Sequence, residues 1–426
     1  MVALFLVLLQ LAIHWRFMHP WLLFLLPFAG VVIHYLYKGK GRSSEKGINL
    51  ILEEIHRPGE GVSGLMAPLI LLSTLITHLF GGSAGREGAA LQMGGSIAAM
   101  FGKRYNLNRQ QQRTILKCGI AAGFGAVFGT PFTGAFFAVE TSTFGKVNYK
   151  DFIICMIASI VGDLTVTALG VHHTAYHVDE VVRTSYLWYN FFPSNGVLVI
   201  KIFLAAIVFG AAGLLFATLT SQLKNVFNQL IKVKWLIPVL GGLLIITFTY
   251  INGKPDYLNL GVEPEYPGAV TISSAFHIGG ADSWSWLWKT VYTSTTLASG
   301  FKGGEVTPLF YIGATLGNSL ASLLNAPISL FAALGLLAVF AGAAKTPISC
   351  IVLGMEIFGP AYTLFFIIAC FTAYYCSGLK GVYLSPQHGQ DNIKPLSKNL
   401  LDIFLHYNQI KLDKYRFIFS GQKKSR

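Results

Sequence analysis

Apolar runs interrupted by glycine dominate this chain of 426 residues and restrict its fold more than any other feature. Hydrophobic residues make up 53% of the chain and charged residues only 12%, about half the share found in a soluble protein. Several runs are too short, or too rich in glycine, to span a bilayer as one regular helix of about 20 residues. We therefore predict an all-α polytopic membrane protein with broken and re-entrant helices, rather than a soluble helical protein with a large core.

Basic residues, which give the chain a net charge of +13, cluster at the edges of the predicted membrane segments. The positive-inside rule places these clusters on the cytoplasmic face. Nucleic acid is not an expected partner, because no recognisable binding module accompanies the basic residues. The clusters are Lys38, Lys40, Arg42 and Lys46; Lys103, Arg104, Arg109 and Arg113; and Lys411, Lys414, Arg416, Lys423, Lys424 and Arg426.

The N-terminus begins in an apolar run at residues 2–13. It has neither a basic n-region nor a convincing small-residue cleavage site, so we expect a first membrane segment rather than a signal peptide. The hydropathy pattern predicts further helical segments along the chain. The predicted segments are 1–15, 21–37, 47–56, 65–80, 89–101, 114–138 with a break at Thr130-Pro131, 152–169, 197–220, 235–250, 284–297, 309–324, 328–343, 348–357 and 362–375.

Residues 81–94 combine a glycine-rich break, a glutamate and the start of a helical pattern. An ionised Glu87 at this depth in apolar sequence is unfavourable and is therefore a functional candidate. The glycine-rich break before a helix start offers unpaired backbone N–H groups, which suit an anion. We expect Glu87 and this helix start to form half of an anion pathway; the alternative is that Glu87 only forms a structural ion pair with Arg86.

Two ordered blocks of motifs recur along the chain and indicate an internal repeat. Gly85-Arg-Glu87 aligns with Gly303-Gly-Glu305 at an offset of 218, and Thr130-Pro131 aligns with Thr346-Pro347 at an offset of 216. A duplicated transporter with its substrate at the junction of two halves is the physical interpretation, and an odd number of crossings per half would invert the repeat. The flanking pairs at the offset of 218 are Thr77 with Thr295 and Gly95 with Gly313.

The repeat divides the chain into four predicted regions. The first membrane repeat spans residues 1–170 and is followed by an inter-repeat connection at 171–196. The second membrane repeat spans 197–408, and a basic cytoplasmic tail covers 409–426.

At these motifs the chain resembles the CLC family of chloride channels and proton-coupled anion exchangers. Gly85-Arg-Glu-Gly88 is similar to the gating-glutamate motif of that family, and Gly303-Gly-Glu-Val-Thr-Pro-Leu-Phe310 is similar to its second pore motif. Tyr383 falls where the family has its pore tyrosine. The resemblance covers about residues 1–408. It implies a CLC-like fold of two inverted repeats, a homodimer with one pathway per subunit, and a transporter or channel rather than an enzyme.

Several departures from the chloride-handling pattern resemble the fluoride/proton antiporter branch of the family. The serine motif that contacts chloride in other members reads Gly47-Ile-Asn-Leu50 here, and the inner proton-path glutamate matches Thr141. Ala89 replaces a common proline, and Val306-Thr-Pro308 replaces the usual apolar pair before proline. A CLC chloride/proton exchanger or a chloride channel is the alternative.

The resemblance implies a secondary transporter in a bacterial plasma membrane that exports fluoride in exchange for protons, with Glu87 as the gating and proton-carrying glutamate. Fluoride is tightly hydrated, so good donors must replace its water. Helix N-termini supply N–H donors without placing a full positive charge at the site, so an anion can bind and leave. The candidate anion-binding residues are Gly47, Ile48, Asn49, Gly85, Gly88, Val306, Thr307 and Tyr383.

The motif Gly81-Gly-Ser83-Ala-Gly85 also fits the G-x-S-x-G pattern of serine hydrolases, and His78 is nearby. That pattern requires a strand-turn-helix context or a partnered histidine. The preceding run looks helical, and the repeat counterpart has no serine in register, so a membrane hydrolase is the weaker hypothesis.

Neither a metal nor another cofactor is expected. His172, His173 and His177, with Asp179, are possible metal ligands by residue type, but they lie in the long connection outside any pore motif, where a solvated loop is expected. The five cysteines lie in or beside apolar segments without paired metal spacing, so we interpret them as small core residues.

Other charged residues are assigned more ordinary roles. Glu140 and Glu356 both follow a Thr-Pro pair by the same spacing, and a helix-anchoring or interface role is favoured over proton transfer. Glu53 and Glu54 are expected on a solvated helix face. Lys302 is either an attractor of anions at the pathway mouth or a plain surface lysine.

Overall fold

The computed structural model describes residues 1–57, 59, 61–142, 149–171, 173, 174, 176–178 and 188–383. The predicted basic tail at 409–426 and the last part of the predicted second repeat lie outside the described residues. Within the described ranges the chain is predominantly helical and has no β-strand, as the pattern of apolar segments predicted. The α-helices are α1 (Val2–Met18), α2 (Leu26–Leu36), α3 (Ile48–His56), α4 (Met66–Leu79), α5 (Glu87–Arg104), α6 (Arg109–Phe128), α7 (Pro131–Ser142), α8 (Tyr149–Ala168), α9 (Trp188–Leu230), α10 (Leu236–Asn252), α11 (Ser285–Ala298), α12 (Val306–Leu324), α13 (Ile328–Ala344), α14 (Pro347–Phe358) and α15 (Thr363–Cys376).

The expected interrupted helices are present. In the described part of the chain, Lys150–Ala168 and Asn195–Leu230 are long and apolar enough to cross a membrane alone. Val2–Met18 and Pro20–Leu36 would form a third span together, although their axes are bent by 108° at His19. Helices α4, α10, α13 and α14 are apolar but shorter, and each packs against neighbouring helices.

The apolar run 114–138 divides into two helices where the sequence predicted a break. Helix α6 ends at Gly129, which adopts a left-handed conformation with φ 69°, and α7 begins at Pro131. Glycine accepts positive φ without strain, and proline suits the first position of a helix because its missing N–H would be unpaired there anyway. The side chain of Asn108 caps the start of α6 by accepting the N–H of Gln111.

Helix α9 is longer than the apolar segment 197–220 that predicted it. Hydropathy marks only the part of a helix that suits a membrane interior. Helical hydrogen bonding continues past it through polar residues such as Lys224 and Asn228. The helix also begins at Trp188, within the predicted connection 171–196.

The two halves of the described chain repeat the same order of helices. Helices α4 and α11 each have 14 residues, and α7 and α14 each have 12. Helix α5 packs on α6 as α12 packs on α13. Each half also contains a glycine-rich break, which lies between α4 and α5 in the first half and between α11 and α12 in the second.

At the centre of the molecule, the repeat has a structural offset of 219 rather than the predicted 218. Helix α5 begins at Glu87 and α12 begins at Val306. Gly85 and Gly304 form an antiparallel bridge in which each N–H donates to the other residue's carbonyl at 2.6 Å. Glu305 is therefore the residue before α12 and does not correspond to Glu87. The glycine-rich sequence permits either alignment, and only the hydrogen bonds distinguish them.

Reciprocal contacts around this bridge follow the same offset. The N–H of Ser83 donates to Thr296 Oγ1 at 3.2 Å, and the N–H of Lys302 donates to Thr77 Oγ1 at 3.3 Å. Thr77 therefore corresponds to Thr296 and not to Thr295. Pairs of equivalent contacts in both directions are the signature of a local two-fold relation between the halves.

Close helix packing also corrects the predicted pairing of Gly95 with Gly313. A Cβ atom on Gly94 would lie 2.0 Å from the Gly119 carbonyl oxygen, and one on Gly313 would lie 2.2 Å from the Gly335 carbonyl oxygen. Gly94, rather than Gly95, is thus the counterpart of Gly313. At both places the missing side chain allows two helix backbones to touch.

Glu140, near the end of α7, anchors the start of α14. Its carboxylate accepts the N–H of Ile348 at 3.0 Å, the N–H of Ser349 at 2.7 Å, and the hydroxyl of Ser349. These N–H groups belong to the first turn of a helix and have no partner within it.

Glu356, near the end of α14, anchors the start of α7 in the same way. Its carboxylate accepts the N–H of Phe132 at 2.9 Å and both the N–H and the hydroxyl of Thr133, the N–H at 2.7 Å. The predicted anchoring role of the two glutamates is confirmed, and each joins its own half to a helix start in the other half.

Replacing either Glu140 or Glu356 with alanine should lower the thermal unfolding midpoint of the purified protein by a similar amount. Each change leaves first-turn N–H groups unpaired, and loss of a helix cap lowers stability by about 1 kcal/mol. The control is Asp282→Ala, which removes an exposed ion pair with Lys254 (2.9 Å) and should shift the midpoint far less. Equal shifts in all three variants would argue against the anchoring role.

Glu54 is not on the solvated face predicted for it. Its side chain is buried, and its carboxylate accepts the N–H groups of Gly59 and Gly61, each at 3.1 Å. The loop after α3 folds back over the helix to make these bonds, which helical periodicity cannot foresee. Glu53 is half-buried and forms an ion pair with Lys46 at 2.7 Å.

Candidate functional site

Glu87 is the first residue of α5, and its side chain is only 1% exposed. Its carboxylate accepts the N–H of Arg86 and the N–H of Thr307, both at 3.1 Å, together with the hydroxyl of Thr307. Thr307 lies in the first turn of α12. One carboxylate therefore receives donors from a helix start in each half of the chain, where the helix dipoles favour negative charge. The arrangement is suited to binding a small anion.

Three glycines allow the two helix starts to approach this closely. A Cβ atom on Gly304 would lie 2.5 Å from the Gly88 nitrogen, and one on Gly88 would lie 2.9 Å from the Gly304 Cα. A Cβ atom on Gly85 would lie 2.7 Å from a carboxylate oxygen of Glu87. Since real side chains do not approach to such distances, these positions admit only glycine without movement of the backbone.

Arg86 contacts Glu87 more loosely than Thr307 does. The Arg86 Nε atom lies 3.5 Å from Glu87 Oε1, and this buried Nε has no hydrogen-bond partner among the described residues. The ion pair considered as an alternative role for Glu87 is therefore present, but the shorter contacts of the carboxylate go to α12.

The first motif, at residues 47–49, packs against the middle of α5. Gly47 precedes α3 with φ 63°, and a Cβ atom there would lie 3.3 Å from the side-chain nitrogen of Gln92. Ile48 is buried at the start of α3. The side-chain oxygen of Asn49 is buried and has no hydrogen-bond partner in the part of the chain that is described. The described contacts do not join these residues directly to Glu87, and sequence reasoning missed Gln92.

Tyr383 is buried at the end of the described chain, and its ring meets the edge of Phe137 at a centroid distance of 5.8 Å. Its buried hydroxyl lacks a hydrogen-bond partner within the described ranges. Val306, the first residue of α12, is fully buried beside Thr307.

A cavity of about 30 Å³ adjoins Glu87. Loop residues far apart in the sequence contribute to its wall, and no sequence motif marked them. The lining residues are Arg86, Glu87, Val127, Phe128, His173, Thr174, Tyr176, Val262, Thr307, Phe310 and Ile357.

Lys302, one of whose two expected roles was at the pathway mouth, is engaged rather than free. Its Nζ atom stands 4.5 Å above the ring of Tyr37 and donates to the Glu45 carbonyl at 3.4 Å. A cation held against an aromatic ring is attracted by the negative face of that ring.

His173 faces the cavity beside Glu87 and contacts a backbone carbonyl and a carboxylate. Its Nδ1 atom lies 3.1 Å from the Val127 carbonyl oxygen, and its Nε2 atom lies 3.6 Å from Asp163. Among the described residues, no group of three His, Cys, Asp or Glu side chains could hold a metal ion. His172 and Asp179 lie outside the described residues.

The serine hydrolase pattern lacks its required geometry. Ser83 is fully buried, and its hydroxyl is hydrogen-bonded to Thr293 at 2.9 Å. The hydroxyl of Ser83 makes no hydrogen bond to His78 among the described residues, so no Ser–His pair forms there. A helix rather than a strand precedes the motif.

Comparison with known proteins gives consistent matches along most of the chain. A family profile described as "Voltage gated chloride channel" matches residues 27–378. A protein of Pseudomonas syringae pv. tomato described as a chloride/fluoride channel protein is 43% identical over 401 residues, which is 93% of this chain and 86% of that protein. An H(+)/Cl(−) exchange transporter of Vibrio cholerae is 25% identical over 318 residues, which is 70% of this chain and 64% of that protein.

Solved structures match the fold described above. The crystal structure of a CLC-type fluoride/proton antiporter superposes with a TM-score of 0.82 at 31% identity and covers 90% of this chain and 92% of that one. A slow cyanobacterial Cl−/H+ antiporter superposes with a TM-score of 0.73 at 18% identity, with the same coverage, and that likeness concerns the fold alone.

Proposed function

Because this chain belongs to the voltage-gated chloride channel family, we propose that it exports fluoride in exchange for protons. Members of this family are integral membrane transporters and channels with a CLC-like fold of two inverted repeats. The observation that carries the proposal is the Glu87 carboxylate held between the first turns of α5 and α12. In this proposal Glu87 is both the gate and the proton carrier.

The same donors serve the carboxylate and the transported anion in turn. An ionised Glu87 accepts charge-assisted hydrogen bonds from Thr307 and from the Arg86 backbone, which are stronger than bonds between neutral groups. Protonation removes the charge that holds the side chain there. Fluoride can then take the released donors, while the neutral carboxyl moves away with its proton. Proton entry is thereby coupled to fluoride exit.

Fluoride is favoured over chloride in the proposal because the site offers compact hydrogen-bond donors. The hydroxyl and N–H of Thr307 point at one place, and the buried hydroxyl of Tyr383 has no partner in the described chain. Desolvating a small, strongly hydrated ion requires such replacements. The relatives named for fluoride, at 43% and 31% identity, support the choice.

Paired efflux measurements test the function. Proteoliposomes loaded with fluoride or with chloride are diluted into anion-free medium, and an anion-selective electrode and a pH electrode follow the same sample. We expect fluoride efflux with simultaneous proton uptake, and slower chloride efflux. Chloride efflux coupled to protons at an equal or higher rate would replace the proposal with a chloride exchanger, and anion efflux without proton movement would replace it with a channel.

We further propose that the protein is a homodimer in the bacterial plasma membrane, with one pathway per subunit. In the proposed division, residues 1–170 and 197–408 are the two repeats, joined by 171–196 and followed by the basic tail 409–426. The reciprocal anchoring by Glu140 and Glu356 supports treating the two repeats as one transport unit.

A further inference from the structure

Lys345, at the end of α13, holds a backbone conformation that is unusual for lysine. Its φ is 63°, in the left-handed region that most side chains disfavour. Such a conformation persists only where the surrounding structure compensates for it, so the Lys345 side chain is expected to have a role. Among the described residues, the other non-glycine residues with positive φ are all asparagine, which tolerates it better: Asn106, Asn259 and Asn325.

The internal repeat supplies a direct comparison for this position. Gly129 ends α6 with φ 69°, as Lys345 ends α13 with φ 63°. Each is followed directly by one of the two Thr-Pro pairs of the repeat. The same turn is therefore made by glycine in the first half and by lysine in the second. Since glycine adopts positive φ without strain, the turn alone does not explain the lysine.

The Lys345 side chain joins the end of α13 to the end of α15. Its Nζ atom donates to the Ser377 hydroxyl oxygen at 2.6 Å and to the Gly378 carbonyl at 2.7 Å. The same atom lies 5.6 Å from the centre of the Tyr374 ring. Hydrogen bonds from a charged donor are stronger than those between neutral groups. The ammonium group thus fixes the point at which the chain leaves α15.

The segment that follows α15 leads directly to Tyr383, and we call residues 377–383 the Tyr383 loop. Lys345 holds its first two residues. Near its other end, the N–H of Val382 donates to the Ala343 carbonyl at 2.9 Å. That carbonyl belongs to the last turn of α13, where carbonyls have no partner within the helix. Both ends of the Tyr383 loop are therefore tied to the end of the same helix.

Aromatic rings hold the Tyr383 side chain itself. Its ring meets the edge of Phe137 at a centroid distance of 5.8 Å, and Phe137 stacks on Phe340 of α13 at 6.0 Å. The Tyr383 hydroxyl is buried and has no hydrogen-bond partner in the part of the chain that is described. A buried hydroxyl is unfavourable unless another group bonds to it. With ring and backbone both held, this hydroxyl is kept at one place as a donor for a ligand.

We propose that Lys345 is a positioning residue for the Tyr383 hydroxyl. Its ammonium group fixes the Tyr383 loop, and the loop presents the hydroxyl to the transported anion. The inference rests on the proposed function, in which Tyr383 binds that anion. Lys345 does not itself touch the anion, so its replacement should act only through Tyr383.

A double-mutant cycle tests this route. The fluoride affinity of the purified protein is measured by titration calorimetry for Lys345→Gly, for Tyr383→Phe and for the double variant. We expect Lys345→Gly to raise the dissociation constant about three- to tenfold, within the range of coupling between residues linked through a backbone segment. In the Tyr383→Phe background the same change should have no further effect, because the hydroxyl that it misplaces is already absent. A Lys345→Gly effect that persists in full in that background would overturn the inference.

Lys345→Met separates the loss of the bonds from a change in stability. Methionine loses the donors and keeps the disfavoured backbone conformation, whereas glycine loses the donors and removes the strain. We expect the same increase of the dissociation constant in both variants, with a higher thermal unfolding midpoint in Lys345→Gly. Affinity that follows the unfolding midpoint instead would make Lys345 a purely structural residue.

Asn325→Gly is the matched control. Asn325 also ends a helix, α12, in the left-handed conformation, with φ 45°, and its carbonyl accepts a hydrogen bond from Lys201 of α9 at 2.9 Å. The change to glycine should leave fluoride affinity unaltered. A loss equal to that of Lys345→Gly would show that any such glycine loosens the protein, and would count against a specific role for Lys345.

A measurement without transport or anion separates this inference from the proposed function. Fluorotyrosine is placed at position 383, and its fluorine-NMR signal is recorded with lysine and with glycine at position 345. A signal that broadens or splits in Lys345→Gly supports positioning, and identical spectra would overturn it. If Tyr383→Phe leaves anion affinity unchanged, the role of Tyr383 in the proposed function fails, and the spectrum alone decides whether Lys345 holds the ring. If the protein binds chloride and not fluoride, the same cycle is measured with chloride.

Discussion

Replacing Glu87 with glutamine is expected to reduce proton uptake during fluoride efflux to the level of protein-free liposomes. Glutamine keeps the size of the side chain but cannot bind and release a proton in the transport cycle. It also loses the negative charge for which Thr307 and the Arg86 backbone provide donors. Both the gate and the proton carrier of the proposed cycle are thus removed by one change.

The measurement is paired fluoride and proton flux in proteoliposomes, with Glu54→Gln as the matched control. Glu54 is another buried carboxylate that accepts backbone N–H groups, but it lies in the loop contacts after α3. The control should keep the wild-type ratio of protons to fluoride even if the protein becomes less stable. Intact coupling in Glu87→Gln would refute the assignment of Glu87 as the proton carrier.

Replacing Thr307 with valine is expected to slow coupled fluoride transport by about ten- to a hundredfold. Valine has nearly the shape of threonine but lacks the hydroxyl that donates to Glu87. A hydrogen bond to a charged group contributes about 1.5–3 kcal/mol, and each 1.4 kcal/mol corresponds to a factor of about ten. The same hydroxyl is a donor for fluoride in the proposed cycle, so both occupants of the site are affected.

Thr315→Val is the control for this change. Thr315 lies two turns further along α12 and is fully buried, and its hydroxyl donates to the Tyr311 carbonyl of its own helix. Fluoride and proton fluxes of both variants are compared at equal protein content in liposomes. A similar loss in the two variants would point to general damage of α12, and an unaffected Thr307→Val would exclude its hydroxyl from the transport step.

Much of the helical framework could be predicted because hydropathy, glycine and proline act locally. The break at Gly129 and Pro131 follows from the conformations that those two residue types favour, and the short helix 48–56 was expected from its sequence. The ends of α9 were missed because polar residues can continue a helix beyond the apolar region. Glu54 was misplaced because its partners sit in a loop that returns to the helix only in three dimensions.

The internal repeat could be recognised from the sequence, but its exact register could not. Two glycine-rich motifs, each with a glutamate, align equally well at neighbouring offsets, since glycine has no side chain to mark a register. The paired hydrogen bonds of Gly85 and Gly304 choose the offset of 219 and separate Glu87 from Glu305. Likewise, nothing in the sequence around Lys345 indicates that its side chain holds the loop before Tyr383.

The sequence by itself determined that this is a membrane protein of broken helices, built from two related halves, with an acidic residue at a helix start. Those conclusions depend on composition, spacing and the cost of charge in apolar surroundings, which neighbouring residues suffice to reveal. Only the tertiary structure decided which donors meet at the Glu87 carboxylate, because Thr307 reaches it across 220 positions of the chain. Contacts of that range depend on how whole helices pack, and a single sequence does not record that packing.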